Sequence, residues 1–570
     1  MKIRIATMIG VVGMASGLAH AGPIFLDQIM RTSDAVPGVA GATWFTSTSG
    51  FQAPTIDNNG MVSFRGRMNN DGTVVTATSN DEGYFFGGPG SVSLMVREGV
   101  SATPDNSNSG GPGAIVTTFQ TNSLSTSPNG NLWLGGTGTG GTITSSGTNS
   151  DNRFIWTGPA GSLALTARQR QTAPGTAGAV FSSAPDSTSG SMNRMNNAGQ
   201  TLVNSSFTAN VGDTGAVGTN DSGMYVMSPT GATLIMRRGD DAGLGGGEQH
   251  NSIGTAFLNG SGQVMQIGGL KVTGSVTTSN DGIMNFWNGS SLTTFAREGG
   301  ATGVGDLTYP VSTSTLFPIF STGRQSLNNN GVGIFFPAGS LAGTGVTTTN
   351  DTAVFAYDSS SSTTSIFKRE GDSAPGVAGA ALNSFSINDF NINNNNKVAW
   401  AGTLVQDALA GITAANDSGL WLSDVSGASD SLIVQEGMAV PGITDAFFGT
   451  PQNVVMNNQN QILFVSTMTG AGVTTASDRS LWAWDPVEGL MLVCREGDSY
   501  FGLTASGFNQ NLSANGEGGN NALSDAGWAS FTINGATGTN QGIVVRTMIP
   551  APGALALLGL GGLLTARRRR

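Results

Sequence analysis

The chain has one cysteine, Cys494, and two histidines, His20 and His250, in 570 residues. One cysteine excludes an intramolecular disulfide and a cysteine metal cluster. Its setting, Leu490-Met491-Leu492-Val493-Cys494, predicts a buried small hydrophobe rather than a reactive thiol. His20 falls in a segment read below as a leader. His250 lies in Gly247-Glu248-Gln249-His250-Asn251, which reads as a surface loop. No Ser-His-Asp triad or multi-histidine zinc site is expected from one histidine. Charge is scarce too. Only 11% of residues are charged, against the usual proportion of about a quarter. Helical periodicity is nearly missing between the termini. Hydrophobic residues make up 38%, and much of the remainder is Gly, Ser, Thr and Asn. That mixture suits many short strands joined by small-residue turns, not a disordered chain.

The formal net charge is −11. Six basic residues, Lys2, Arg4 and Arg567 to Arg570, lie in terminal segments that read as removable, and no acid accompanies them. Without those segments 19 basic residues face 36 acidic ones, a net charge of −17. Such a chain repels nucleic acid and anionic lipid, and leaves cations and neutral polysaccharide as partners.

Both ends read as addresses. Residues 1–21 have a basic start, an apolar stretch from Ile5 to Leu18, and Ala19-His20-Ala21. That is a secretory signal peptide with small residues Ala19 and Ala21 at the cleavage site. Residues 549–570 hold Pro550-Ala551-Pro552, an apolar run from Ala554 to Ala566, and Arg567, Arg568, Arg569 and Arg570. Thirteen apolar residues fall short of the roughly 20 of a spanning helix, so transient membrane contact is expected. The segment resembles the bacterial PEP-CTERM sorting signal, with Ala551 where that family often has Glu. The resemblance implies recognition by an exosortase, removal of the tail, and delivery to the cell envelope or an extracellular polysaccharide matrix.

Between the ends, residues 22–548 repeat one pattern eight times. One signature, clearest in Lys368-Arg369-Glu370-Gly371-Asp372, places its arginine or substitute at Arg31, Arg97, Arg168, Arg237, Arg297, Arg369, Gln435 and Arg495. A second, Thr-x-Asn-Asp-x-Gly, falls at Asn80, Ser150, Asn220, Asn280, Asn350, Asn416, Ser477 and Asn540. Both recur about every 66 residues. A third, Asn-x-x-Gly before an alternating apolar run, stands at Asp57-Asn58-Asn59-Gly60, Asn328-Asn329-Asn330-Gly331 and Asn393-Asn394-Asn395-Asn396, with weaker copies at Asn457 and Ser524.

Each unit holds about four short alternating strands: around Phe119, Phe257 or Phe385, in a Val-x-Phe run, after Asn-Asp as in Ser418 to Leu422, and before Arg-Glu-Gly-Asp as in Ser431 to Val434. Four antiparallel strands per repeat make the blade of a β-propeller. The surplus length sits in Gly/Ser/Thr runs, 135–150 and 339–349, read as loops between strands two and three. The first unit opens with a lone fourth strand, Ile24 to Arg31, and the last lacks one. The fold expected is therefore all-β, an eight-bladed propeller closed by its N-terminal strand, over about residues 24–547. The repeats also resemble a bacterial family of tandem Asn-x-x-Gly-x-x-Ala-Phe units, nearest at Val398-Ala399-Trp400 and Val332-Gly333-Ile334-Phe335; its members are secreted, and it implies no activity.

The motifs weigh toward scaffold. Asn and Asp before Gly are turn formers, although their oxygens also suit calcium. Ser279-Asn280-Asp281-Gly282 is similar to the Asp-box of sialidase propellers, itself a structural turn. Arg-Glu-Gly-Asp is expected to pair ions between strand, turn and neighbouring blade. Asp240-Asp241, Glu370 and Asp372 are candidate glycosidase acids. Trp44, Trp287, Trp482 and Trp484 stack sugars if exposed and fill the blades if not. The reading is an exported, non-enzymatic adhesion or scaffold module with no cofactor, contacting polysaccharide or envelope proteins. The alternative is a propeller enzyme acting on extracellular glycans.

Overall fold

The computed structural model describes residues 24–550, apart from 47–49, 77–78, 146–149, 183–194, 209–219, 312–319, 325 and 536–540, and apart from the side chains of 121–123. The leader with Ala19 and Ala21, and the tail with Ala551, Pro552 and Arg567 to Arg570, lie outside the described residues.

Eight antiparallel sheets follow one another along the chain. In blade 1 the strands are Thr55–Ile56, Val62–Arg67, Glu82–Gly87 and Ser93–Arg97. Blades 2 to 7 span 115–168, 180–237, 250–297, 320–369, 382–435 and 446–495. Blade 8 consists of Ser499–Tyr500, Leu503–Asn509, Trp528–Gly535 and Gly542–Met548, completed by Leu26–Arg31 from the other end of the chain. That strand pairs antiparallel with Gly542–Met548, so that Leu26 faces Thr547 and Arg31 faces Ile543. The ring closes as expected, and the pairing covers an edge that would otherwise template aggregation. Among the described residues the one helical turn is Ile387–Asp389, and no helix is long and apolar enough to cross a membrane.

The apolar residues pack between blades rather than within them. Trp133, Ile155 and Ala167 of blade 2 meet Phe181, Val203 and Tyr225 of blade 3. Every other junction has an equivalent cluster. Trp44 and Trp482 are fully buried, Trp287 is nearly so, and Trp484 packs half-buried against the junction of blades 6 and 7. The tryptophans fill the blades. Several buried indole N–H groups find acceptors: Trp400 donates to Ser423 Oγ at 2.9 Å and Trp421 to the Pro375 carbonyl at 2.9 Å, whereas those of Trp44 and Trp133 have none.

In all eight blades the fourth strand carries a bulge at the same place, one residue longer than the third strand opposite it. The extra residue is Ile29, Met95, Thr166, Ile235, Phe295, Phe367, Ile433 or Val493. It stands two positions before each signature arginine or its glutamine substitute and re-aims the strand end.

Two sequence expectations are corrected. The run 135–150 is not all loop, because the second strand of blade 2 extends over Asn131–Thr139. His250 is not on a surface loop; it is 3% exposed and begins the first strand of blade 4, His250–Leu258. The Gly-rich run before it hides the strand start. Burial pushes its pKa down to about 4.

Candidate functional site: the axial cavity and its plug

The first strand of each blade lies innermost, so the turn between strands one and two faces the axis. The Asn-x-x-Gly marker forms that turn. Asn328 Oδ1 accepts the Asn330 and Val332 backbone N–H groups at 3.0 and 2.9 Å, which fixes the turn locally. Its Nδ2 is then free to reach the next blade. It donates to the Asn393 carbonyl at 2.9 Å. Asn196 donates likewise to the Asn259 carbonyl, Asn259 to Asn328, Asn393 to Asn457, and Asn457 to Ser524, at 2.9 to 3.1 Å. All five asparagines are fully buried. A ladder of amides thus staples blades 3 to 8 in series. Blades 8, 1 and 2 carry Ser524, Asp57 and Ser127 at the equivalent position.

A loop of blade 8, residues 513–523, fills the axis at the end of the ring where the ladder lies. Asn521 accepts from the Ile56 N–H of blade 1 with its carbonyl at 3.0 Å and from the Thr126 N–H of blade 2 with Oδ1 at 3.0 Å. Glu517 accepts from Asn197 N at 2.6 Å and Asn329 Nδ2 at 3.0 Å, in blades 3 and 5. Its carbonyl accepts from Asn394 Nδ2 of blade 6 at 3.1 Å. In blade 4, a Cβ on Gly260 would overlap Glu517 Oε2. In blade 7 the Met456 N–H donates to Asn520 Oδ1 at 3.4 Å. The plug therefore touches blades 1 to 7 directly, and it supplies amide contacts at the seam where the ladder lacks asparagine.

Next to the plug lies a cavity of about 880 Å³. Inner-strand residues Thr255, Ser321 and Asn509 line it, with Gln52 from the segment before blade 1, Asn388 from the helical turn, and Leu512 and Ser513 from the foot of the plug. Arg324 is the one charged side chain on the described lining. Arg324 Nη2 donates to Asn453 Oδ1 of blade 7 at 3.0 Å. Asn453 holds a left-handed backbone, φ +57°, and its carbonyl accepts from Gln510 Nε2 of blade 8 at 2.8 Å. Burial lowers the guanidinium pKa and Asp389 opposes that; an arginine stays charged regardless. Two buried atoms of this network are bonded to nothing: Arg324 Nε and Gln510 Oε1.

The candidate acids lie elsewhere. Asp241 Oδ1 accepts from Gly243 N, Asp372 Oδ2 from Arg369 N, and Glu370 Oε2 from Thr352 Oγ1. Asp240 and Asp241 are exposed. None of these four lines the cavity. The Asn-Asp loops are turns: the side-chain oxygens of Asn280, Asn350 and Asn416 accept from the N–H of Thr277, Thr347 and Thr413. Among the described residues no group of three or more His, Cys, Asp or Glu is placed to hold a metal ion.

The ion pair expected of Arg-Glu-Gly-Asp forms at Arg168, to Asp151 at 2.6 Å, and at Arg297, to Glu248 at 3.6 Å, but the link that the repeats share is a different one. Arg97, Arg168, Arg237, Arg297, Arg369 and Arg495 each donate Nε to the backbone carbonyl of the second signature or its neighbour: Asn80, Asp151, Asn220, Asn280, Asn350 and Ser477, at 2.6 to 3.1 Å. Gln435 does the same with Nε2 to Asn416, at 2.7 Å. The two signatures recur together because one caps the other within a single blade. An ion pair between blades 5 and 6 comes instead from the preceding residue, Lys368, to Asp430 at 2.8 Å. Cys494 is fully buried, and burial pushes its thiol up to about 12.

A family model matches residues 10–315 and again 308–543. The chain belongs to DUF7453, a family of unknown function. No curated protein matches this DUF7453 sequence. Among solved structures, the acylaminoacyl peptidase of Pyrococcus horikoshii is similar at 10% identity over 86% of this chain, with a TM-score of 0.34; the chain spans 59% of that peptidase's length. An ulvan lyase of polysaccharide lyase family PL25 is similar at 9% identity over 74% of this chain and 91% of its own, with a TM-score of 0.30. The α-L-arabinanase of Penicillium chrysogenum follows at 13% identity over 51% and 91%, with a TM-score of 0.22. Likeness at this level bears on no residue of the DUF7453 cavity.

Proposed function

We propose that this is an exported, non-enzymatic propeller of the cell envelope or extracellular matrix that holds polysaccharide in its axial cavity. The observation that carries the reading is the chemistry of the described wall: amides and hydroxyls interleaved with apolar side chains such as Phe257 and Phe320, one arginine, and no carboxylate. Sugars are recognised by such donors and acceptors placed on a preformed concave surface. Asp241 and Asp372 are spent on turns and Glu370 on Thr352, while the signature arginines make the link between signatures. Export and sorting rest on the terminal segments, with an exosortase-type enzyme as the processing partner.

The test is binding of bacterial exopolysaccharides and oligosaccharides to the full chain, with product release followed in parallel. Saturable binding without cleavage is expected. Released fragments would make the chain a glycan-active enzyme, and no binding at all would remove the saccharide reading. Fractionation of cells carrying the chain with and without residues 549–570 checks sorting: loss of the envelope or matrix pool on truncation is expected.

A further inference from the structure

Arg324 breaks the pattern that every other feature of the ring obeys. The signature arginines and Gln435 are capped on carbonyls inside their own blades. Arg324 comes from a stretch of blade 5 that follows none of the three signatures. It reaches across blade 6 to Asn453 of blade 7. No carboxylate lies within ion-pair distance of it among the described residues. Asp389, the acid that bears on it electrostatically, already accepts from Ser386 Oγ at 2.6 Å and Val454 N at 3.0 Å. A half-buried guanidinium without a counter-charge is costly to keep unless something else meets it.

The same network leaves one donor and one acceptor over. Arg324 Nε has no partner, and neither has Gln510 Oε1. Gln510 cannot relieve this by flipping its amide, because Nε2 must face the Asn453 carbonyl. Both of these atoms are closed to solvent, so a ligand meets only the rest of the half-buried guanidinium, and one that suits the wall accepts from it. A carboxylate has that chemistry, and the planar fork of arginine matches it.

We propose that the axial cavity takes an acidic saccharide, its carboxylate on Arg324; this rests on the saccharide reading above. The negative charge of the whole chain does not oppose it strongly. At physiological ionic strength, screening confines surface charges to about 8 Å.

The experiment titrates the full chain with galacturonic acid trisaccharide and with neutral galactotriose, at low and physiological salt. The acidic sugar is expected to bind at least about tenfold more tightly, and more weakly as salt rises. Arg324→Gln should lower its affinity by about tenfold or more, the order expected for a lost charge-assisted contact, and leave galactotriose unchanged. Arg324→Lys should fall between, keeping charge but losing the fork. An unchanged melting temperature certifies the variants; if Arg324→Gln unfolds, Arg324→Lys and the salt dependence decide. Equal affinity for both sugars, indifferent to Arg324 or to salt, overturns the acidic class and leaves the saccharide reading standing. Binding of neither sugar overturns both.

Discussion

The side-chain amide of Asn328 donates to the backbone carbonyl of Asn393, one blade further on, at 2.9 Å. Asn393 passes the same contact to Asn457 at 3.0 Å. Blade order is thereby written into hydrogen bonds between buried polar groups, which are costly to leave half made.

Asn393→Ala should therefore destabilise the ring by about 1–3 kcal/mol, the range for stranding buried partners. Asn330→Ala, which removes an exposed donor to the Asn394 carbonyl at 2.8 Å, should cost well under half as much. Chemical denaturation of both variants checks the ranking.

Blade 6 shows what can stand in for the signature arginine. Gln435 reaches Asn416 as Arg369 reaches Asn350. Arg369→Gln should thus cost less than Arg369→Leu, which leaves the Asn350 carbonyl without its donor and should cost about 1–2 kcal/mol. Melting curves of the two variants decide it; equal losses would mean that the capping bond is not what the arginine contributes.

Glu98 is 4% exposed, and its Oε2 is bonded to nothing. Burial first, then Glu82 and Asp81, push its pKa up to about 7. The folded chain holds this proton where the unfolded one has released it. Between about pH 4.5 and 7 its contribution to stability falls as pH rises. Glu98→Gln should raise the melting temperature at pH 8 and change little at pH 4.

His250 acts in the opposite direction. Burial lowers its pKa to about 4, so between that value and the ordinary 6.5 the unfolded chain binds the extra proton. Stability from this site is present above about pH 6.5 and is lost on acidification through that window. His250→Leu should flatten the acid limb of the melting profile between pH 6.5 and 4.

Glu517 joins blades 3 and 5 through its carboxylate and blade 6 through its carbonyl. Glu517→Ala should cost about 1–3 kcal/mol by stranding Asn197 N–H and the Asn329 amide. Hydrogen exchange should quicken at 197 and 329 in particular, and unchanged protection there would count against the plug as a brace.

Most of the architecture was legible in the sequence because a repeat prints its strands, turns and phase many times over. Arg31 without a preceding unit, and a last unit without its fourth strand, announced closure. The Asn-x-x-Gly marker was visible, but its second role was not: a turn asparagine and a blade-to-blade donor look alike until neighbouring turns are brought together. Arg-Glu-Gly-Asp suggested an ion pair because its charges adjoin; in the fold Arg168 and Arg297 do pair with acids, but the contact common to the repeats runs from guanidinium or amide to a backbone carbonyl. The site itself was the least legible part. Arg324, Asn453 and Gln510 come from three blades, follow no signature, and meet only on the axis. Residues 513–523 looked like one more Gly/Asn loop, and only their central position makes them a plug.

Closure by Leu26–Arg31 sets a timetable. The first strand to emerge from synthesis finds its partner only in Gly542–Met548, more than five hundred residues later. The plug, the element that touches the other seven blades, also belongs to the last blade. A nascent chain can therefore assemble blades one after another yet stay an open arc until its final stretch arrives. For the export proposed above, passage across a membrane can precede the locking of the ring.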